Sequence, residues 1–520
     1  QPNWVKALLY KEALRSNFEE RHVIESITAF NKELKILPEP ASQIIRSALG
    51  ELYLSYFRAN QYEISQRSAF GKPGDVPEKW SLAQMSKLID SSYTASLSNS
   101  ELLSSEKMEK WAPAFKNVLS VKGPSYTLFD VLAGRALMFY ASGESSALEM
   151  PAENRPGTPF LFSGARTFAL SRIGYHEGSP SFLKALSIYR ELLAAHLNDK
   201  QPDILIDIDL HRLNWARDWG SVPAADSLYR ESVKAIFSAF KNSPAGMSAG
   251  YEVASSLYQQ GIIEPSAKLK NSLFAESSSI ATEVIQLFPE SRGAAECRQL
   301  LHELKLPELY LQTSETYLPG DPITFEVRRK NCETLNFRLV SISKEDLRKV
   351  YFNVRNEELL DYSSLKPIRE WNAPLPSETP MVSTLQHVTT EELPLGAYLL
   401  LASPSSDFDA NGAPVAVSLF QVTQLSWFVE ADASTNDFLV VVNRRSGKPE
   451  SGVNVTIEIS EYTNYGKVDP FRKAIDDRIS DRNGFVSLAS IDYRQNNNIY
   501  VTLKKDSDFF IGRRAFNLTN

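Results

Sequence analysis

The chain has 520 residues, 43% of them apolar and 23% charged, which excludes a disordered or fibrous protein. Its 56 Lys and Arg against 63 Asp and Glu leave a net charge of −7, so there is no basic surplus to neutralise phosphates and no nucleic-acid partner is expected. No apolar run approaches the roughly 18 residues that a membrane-spanning helix needs. Gln1 stands where an initiator methionine would, which fits a processed or trimmed chain.

Residues 1–306 read as helices, because glycine is sparse and apolar residues recur three and four apart. Ile44, Ile45, Ala48, Leu52, Tyr53, Tyr56 and Phe57 form one stripe. Phe129, Leu132, Ala136, Phe139 and Tyr140 form another, and Leu183, Leu186, Tyr189, Leu192 and Leu193 a third. A helix with one apolar face cannot bury it alone, so stacking is required. Breaks such as Gly71-Lys72-Pro73-Gly74 and Asn154-Arg155-Pro156-Gly157 separate the stripes. Their spacing from about residue 180 onward suggests stacked, tetratricopeptide-like helical hairpins, without that family's consensus.

At Pro307 the period changes to two. Ile323, Phe325 and Val327, then Leu335, Phe337 and Leu339, then Val453, Val455, Ile457 and Ile459 alternate as half-buried strands do. Asn411-Gly412 and Asn483-Gly484 read as hairpin turns. Two β-sandwiches are expected, 307–424 and 425–520, joined to the helical repeat domain 1–306 near Leu306-Pro307. The last helix, Ala294 to Leu304, is expected to pack on the first sandwich.

Several patterns could carry chemistry. Gly246-Met247-Ser248-Ala249-Gly250 fits G-x-S-x-G, but a nucleophile elbow needs a strand before it, and Val233 to Phe240 reads as a helix. Asp203, Asp207 and His211 share a predicted helix face and could ligate a metal. The alternative is a solvated face with Asp207–His211 and Asp209–Arg212 paired locally. Asp407 to Gly412 copies half an EF-hand loop, yet Ser418 occupies the position of the bidentate glutamate. Ser181-Phe182-Leu183-Lys184 matches S-x-x-K without its companion motifs. His22, His176, His196, His302 and His387 are scattered. Cys297 and Cys332 could be bonded or could be buried free thiols. No pattern supplies a catalytic, cofactor or metal site, so a non-enzymatic protein is expected.

Leu309-Tyr310-Leu311-Gln312-Thr313 followed by Tyr317-Leu318-Pro319-Gly320-Asp321, and Leu393-Pro394-Leu395-Gly396-Ala397-Tyr398, open and close one segment. Ser446-Gly447-Lys448-Pro449, Gly452-Val453-Asn454-Val455 and Asp481-Arg482-Asn483-Gly484-Phe485 mark the next, with Ser480 where a threonine is usual. In order and spacing these motifs resemble the macroglobulin domains at the front of alpha-2-macroglobulin family proteins. Val5 to Tyr10, Trp80-Ser81-Leu82, Tyr126 to Ala133 and Phe288 to Ser291 are similar to the N-terminal region of the large Bacteroidetes-type members. The resemblance implies a non-catalytic scaffold and docking region of a protease-trapping protein of the bacterial cell envelope, periplasmic or outer-membrane anchored. Its partners would be target proteases or envelope proteins, together with later macroglobulin domains beyond Asn520. Neither Cys297-Arg298-Gln299-Leu300 nor Cys332-Glu333-Thr334-Leu335 matches the family's C-x-E-Q thioester. An alternative is an interaction or spacer subunit of an outer-membrane assembly.

Overall fold

The structure, a computed structural model, describes residues 1–15, 22–67, 79–115, 126–142, 144–145, 158–174, 179–352, 365–409, 412–430, 438–460, 474–488 and 498–514. The Gly71–Gly74 and Asn154–Gly157 breaks, His176 and Asn411 lie outside them. A helical half is followed by β-sheets. The helices are α1 Pro2–Arg15, α2 His22–Glu33, α3 Ala41–Gln66, α4 Leu82–Ser96, α5 Ser100–Ser105, α6 Met108–Trp111 and α7 Leu128–Tyr140. Then follow α8 Ala165–Ala169, α9 Ser181–His196, α10 Asp203–Trp219, α11 Ala225–Ala239, α12 Gly246–Ile263, α13 Ala267–Leu287 and α14 Arg292–Lys305. The chain forms two compact units, one of Gln1–Gln259 with Glu276–Leu301, the other of Gln260–Ala275 with His302–Asn520.

In the first unit the helix starts are written in the sequence. Ser81 and Gln84 form a capping box at α4, the Ser81 N–H donating to Gln84 Oε1 at 2.9 Å. Thr127 and Asp130 form another at α7, where Asp130 accepts from the Thr127 N–H at 2.7 Å. Each box satisfies amides that have no partner within the helix. The α3 stripe is buried as expected, with Ile44, Ile45, Tyr53, Tyr56 and Phe57 in the core and Trp80 edge-on to both tyrosines.

Charge enters this core where periodicity predicted none. On α9, Leu183 is exposed and Lys184 is buried, pairing with Asp90 and lying over the Tyr140 ring. The Asp209–Arg212 pair forms, but it is buried rather than solvated. Arg212 donates from Nε to Asp209 at 2.9 Å, and to the carbonyls of Leu161 and Ser163 at 2.5 and 2.8 Å. Its guanidinium stacks on Phe168, 4.2 Å from the ring centre. One side chain thereby fastens α8 and the Pro159–Phe162 turn to α10.

The second unit carries strands β1 Glu308–Gln312, β2 Thr316–Tyr317, β3 Pro322–Lys330, β4 Thr334–Ile342, β5 Arg369–Pro374, β6 Thr384–Glu392, β7 Gly396–Ser403 and β8 Ala416–Val422. These form a three-stranded sheet, β1-β3-β6, and a five-stranded sheet, β2-β8-β7-β4-β5. Both sheets feed one core through Ile323, Phe325 and Val327 on one side and Leu335, Phe337 and Tyr398 on the other. Next come β9 Leu425–Glu430, β10 Phe438–Asn443, β11 Asn454–Ser460, β12 Ala474–Ile479, β13 Phe485–Ser487, β14 Asn498–Lys505 and β15 Asp508–Arg514. Sheets β13-β10-β9 and β12-β11-β14-β15 share a second core around Val441, Val455 and Leu503.

Three features of this unit depart from the sequence reading. A helix, α15 Lys344–Phe352, stands among the strands, capped by Ser343, whose Oγ accepts from the Asp346 N–H at 3.0 Å. Strand β7 is buried on both faces. Tyr398, Leu400 and Ala402 enter the first core, while Ala397, Leu399 and Leu401 meet Leu347, Phe408 and Ile511. Asn483-Gly484 is no hairpin, because β12 and β13 belong to different sheets. Asp481 Oδ1 accepts from the N–H groups of Asn483 and Phe485, both at 2.8 Å, and turns the chain from one sheet to the other. Gly484 has φ +76, and a Cβ there would lie 2.4 Å from the Val441 carbonyl oxygen.

Polar bonds tie the two β cores. The Gln421 amide, fully buried, donates to and accepts from the Ile511 backbone at 2.8 Å each way. Asp508 accepts from Thr423 Oγ1 at 2.6 Å and the Gln424 N–H at 2.9 Å. At the unit's other end Asn331, in the left-handed region at φ 55, caps the end of α14 by donating to the Leu304 carbonyl at 2.8 Å.

Replacing Arg212 by Leu would leave Asp209 buried without its cation and two carbonyls without donors. The expected loss is about 3–5 kcal/mol in the first unfolding transition in urea. A loss below about 1 kcal/mol, the range of an exposed pair, would show that the pair is not a fastening.

Candidate docking groove in the helical half

Helix α10 separates its residues into three sectors. Ile204, Ile206, Leu210 and Leu213 are buried, Asp209 and Arg212 form the internal pair, and Asp207 and His211 are partly exposed. The exposed sector faces an open groove of about 930 Å³, walled by α7, α9, α10, α12 and α14. Of Asp203, Asp207 and His211, the last two line it, and Asp203 lies one turn before Asp207 on the same helix. Among the described residues no three His, Cys, Asp or Glu side chains are grouped to hold a metal.

The expected Asp207–His211 pair is not made. His211 Nδ1 instead shares a hydrogen bond with the Tyr189 hydroxyl at 2.6 Å. Burial lowers the His211 pKa, with Asp207 opposing, so the imidazole is neutral near pH 7. Burial also keeps Tyr189 protonated. Tyr189 packs on Trp215 at 5.5 Å between ring centres, which makes an aromatic wall, and Phe182 packs on Trp215 at 4.6 Å.

The groove's carboxylates are mostly satisfied from within. Asp130 accepts from His196 Nε2 at 2.8 Å, and His196 Nδ1 meets Asp199 at 2.6 Å. Burial opposes the charge on this imidazole, but the two carboxylates outweigh it and its pKa is raised. Glu252 accepts from the Tyr229 hydroxyl at 2.6 Å, Glu296 pairs with Arg292 at 3.2 Å, and Asp218 with Arg217 at 3.0 Å. Asp207 differs. Burial in the concave wall raises its pKa, with Arg292 opposing and Asp203 adding to it.

Ser248 also lines the groove, but as part of a helix start. The motif's glycines answer to packing. A Cβ on Gly250 would stand 2.4 Å from Val284 and 2.8 Å from Phe237, and one on Gly246 would stand 2.1 Å from the Phe240 carbonyl oxygen. The segment before it is α11 and a turn, so no strand among the described residues aims Ser248.

The remaining candidates have local partners. Lys184 of the S-x-x-K match is held by Asp90. In the EF-hand-like loop Asp407 accepts from Ser405 Oγ at 2.7 Å and the Asp409 N–H at 3.1 Å, while Ser418 bonds Thr313 Oγ1 at 2.8 Å. Cys297 and Cys332 are buried free thiols. Burial pushes Cys297 up to about 12 and raises Cys332 as well. The groove has no sequence motif, since its members come from five helices. A hint lay in His211 and Trp215, one turn apart beside Asp207.

No protein-family model matches the chain, and no curated protein matches it. Among solved structures, a fragment of Escherichia coli alpha-2-macroglobulin spanning its MG0, NIE and MG1 domains aligns with 14% identity over 39% of this chain and 64% of the fragment, at TM-score 0.29. A shorter fragment, spanning NIE and MG1, aligns with 14% identity over 39% of this chain and 96% of its own length, at TM-score 0.28. Red sea bream transglutaminase aligns with 12% identity over 44% of this chain and 35% of its own, at TM-score 0.19. At these values the likenesses do not assign the chain to a family. Among the described residues no helix is long and apolar enough to cross a membrane.

Two outcomes are expected here. First, a serine-reactive fluorophosphonate probe leaves Ser248 unlabelled, and stoichiometric labelling would reverse the reading of the glycines. Second, the raised His196 pKa adds stability that is full below about pH 6.5, the ordinary histidine value, and is lost as pH rises through the folded value. The stability gap between the chain and its His196→Gln variant should therefore shrink between pH 6 and pH 9. A gap that grows with pH would contradict a charged His196.

Proposed function

We propose that the chain is the non-catalytic front region of an alpha-2-macroglobulin-type protein, and that its helical half is a docking surface. The observation that carries this is the place of the ordered motifs in the β half. Tyr317-Leu318-Pro319-Gly320 makes the turn into β3, with Gly320 at φ +83. Leu393 to Tyr398 leads into β7, where the Tyr398 hydroxyl donates back to the Pro394 carbonyl at 2.9 Å. Ser480, in the usual threonine position, keeps a bridging hydroxyl, accepting from the Val453 N–H at 3.0 Å and donating to Glu450 at 2.7 Å. Each motif thus has a folding task, and together they support the reading of two macroglobulin-type β-sandwiches, 307–424 and 425–520; the helices before them, 1–306, we read as a tetratricopeptide-like domain.

On this reading the protein works in the bacterial cell envelope, exported, and restrains endopeptidases by enclosing them. The β-sandwiches would be frame, later domains beyond Asn520 would complete the enclosure, and the groove would dock a protein partner. No cofactor or catalytic residue is called for. A helical stack with a concave face suits such docking, because it offers an extended surface that no single helix could.

The test uses the full-length protein and an endopeptidase. Enclosure blocks a protein-sized substrate by bulk while a small peptide substrate still diffuses in. The expected result is loss of activity on the protein substrate with activity on the peptide kept. Equal activity on both, with and without the full-length protein, would remove the trapping reading.

A further inference from the structure

Gly134 sits within α7 and lines the groove. Glycine inside a helix destabilises it by about 0.5–1 kcal/mol relative to alanine. Elsewhere in this half such a glycine has a packing reason, as at Gly250 against Val284 and Phe237. At Gly134 an added Cβ would meet nothing within 4 Å. What the missing side chain leaves is bare helix backbone on the groove wall, open to close approach by another chain.

The charge pattern points the same way. Asp130, Glu252, Glu296 and Asp218 all have partners, as above. Asp207 has neither a hydrogen bond nor a close ion pair among the described residues, Arg292 acting on it only through space, and its carboxylate is partly exposed in the groove. Around it are the Tyr126 phenol, the aromatic wall of Tyr189 and Trp215, and the exposed thioether of Met138. An acid that no hydrogen bond or close ion pair holds, beside aromatic and apolar surface, is complementary to a guanidinium whose flanking residues are apolar. The volume lies at the upper end of small-molecule pockets, about 300–1,000 Å³, and the groove is open to solvent rather than enclosed, which leaves room for a chain segment.

We infer that the groove binds an extended peptide segment of a partner protein, with an arginine paired to Asp207 and the segment's backbone passing over Gly134. This rests on the docking reading of the helical half and names its ligand. It is separable from the trapping reading: enclosure of a protease can succeed while peptide binding fails, and the reverse.

The probe is a blocked heptapeptide, Ala-Leu-Ala-Arg-Ala-Leu-Ala, titrated calorimetrically into the full chain, beside the same peptide with glutamine in place of arginine. The expected result is saturable one-to-one binding of the arginine peptide and binding roughly tenfold or more weaker for the glutamine peptide, the worth of a charge-assisted bond. Asp207→Asn should erase the difference between the peptides. Gly134→Leu should abolish binding with the melting temperature held or raised, and Gly134→Ala should weaken it with a small rise in melting temperature. Equal binding of the two peptides, a preference that survives Asp207→Asn, full binding by Gly134→Leu, or no saturable binding of the arginine peptide would each overturn the inference.

Discussion

The helical half depends on a charge held inside it. Arg212 is almost wholly buried, and its donors are met by the Asp209 carboxylate of its own helix and by two carbonyls from outside that helix. A buried guanidinium is tolerable only when its donors are matched, so the geometry of α8, the Pro159–Phe162 turn and α10 is mutually fixed. With that sector of α10 fixed, the sector one turn around it, Asp207 and His211, is held out into the groove.

The same device recurs on the neighbouring helices. Lys184 reaches Asp90 from α9, and His196 joins the end of α9 to the capping carboxylate of α7. These contacts are directional, unlike apolar packing, and so set helix rotation as well as proximity. Between them the rings of Tyr189 and Trp215 fill the wall, and Phe182 packs on Trp215. A groove built this way is formed before any partner arrives, which reduces the ordering that binding must cost.

Much of the frame was legible in the sequence for a simple reason: burial imposes a period. The alternation at Ile323 to Val327 and the switch near Pro307 follow from one buried face per element, and the α3 stripe marks the apolar part of a helix whose first half is buried all round. What escaped notice breaks that rule. Strand β7 buries both faces, so alternation says nothing about it. Lys184 replaces Leu183 inside because Asp90, distant in sequence, awaits it. Helix α15 was hidden among strands, although Ser343-Lys344-Glu345-Asp346 carries a capping pattern. The Asn483-Gly484 dipeptide favours a hairpin, but the turn's outcome is set by Asp481 and by the sheets its flanking strands join. The groove was the least legible feature. Asp203, Asp207 and His211 share a helix face in the sequence, yet His211 is held by Tyr189 from another helix.

The central claim is that the groove is a rigid, preformed surface held by the buried charges beneath it. Hydrogen exchange read by mass spectrometry on the free chain tests this most directly. The account predicts that amides of Ile206 to Ala216 and of Leu132 to Phe139 exchange among the slowest of the helical half, as slowly as those of Ile45 to Phe57 in α3, because opening α10 requires the Arg212 bonds to break. Exchange of Ile206 to Ala216 as fast as that of the chain's first helical turn would contradict it, since a groove wall that opens so readily could not be the preformed surface described.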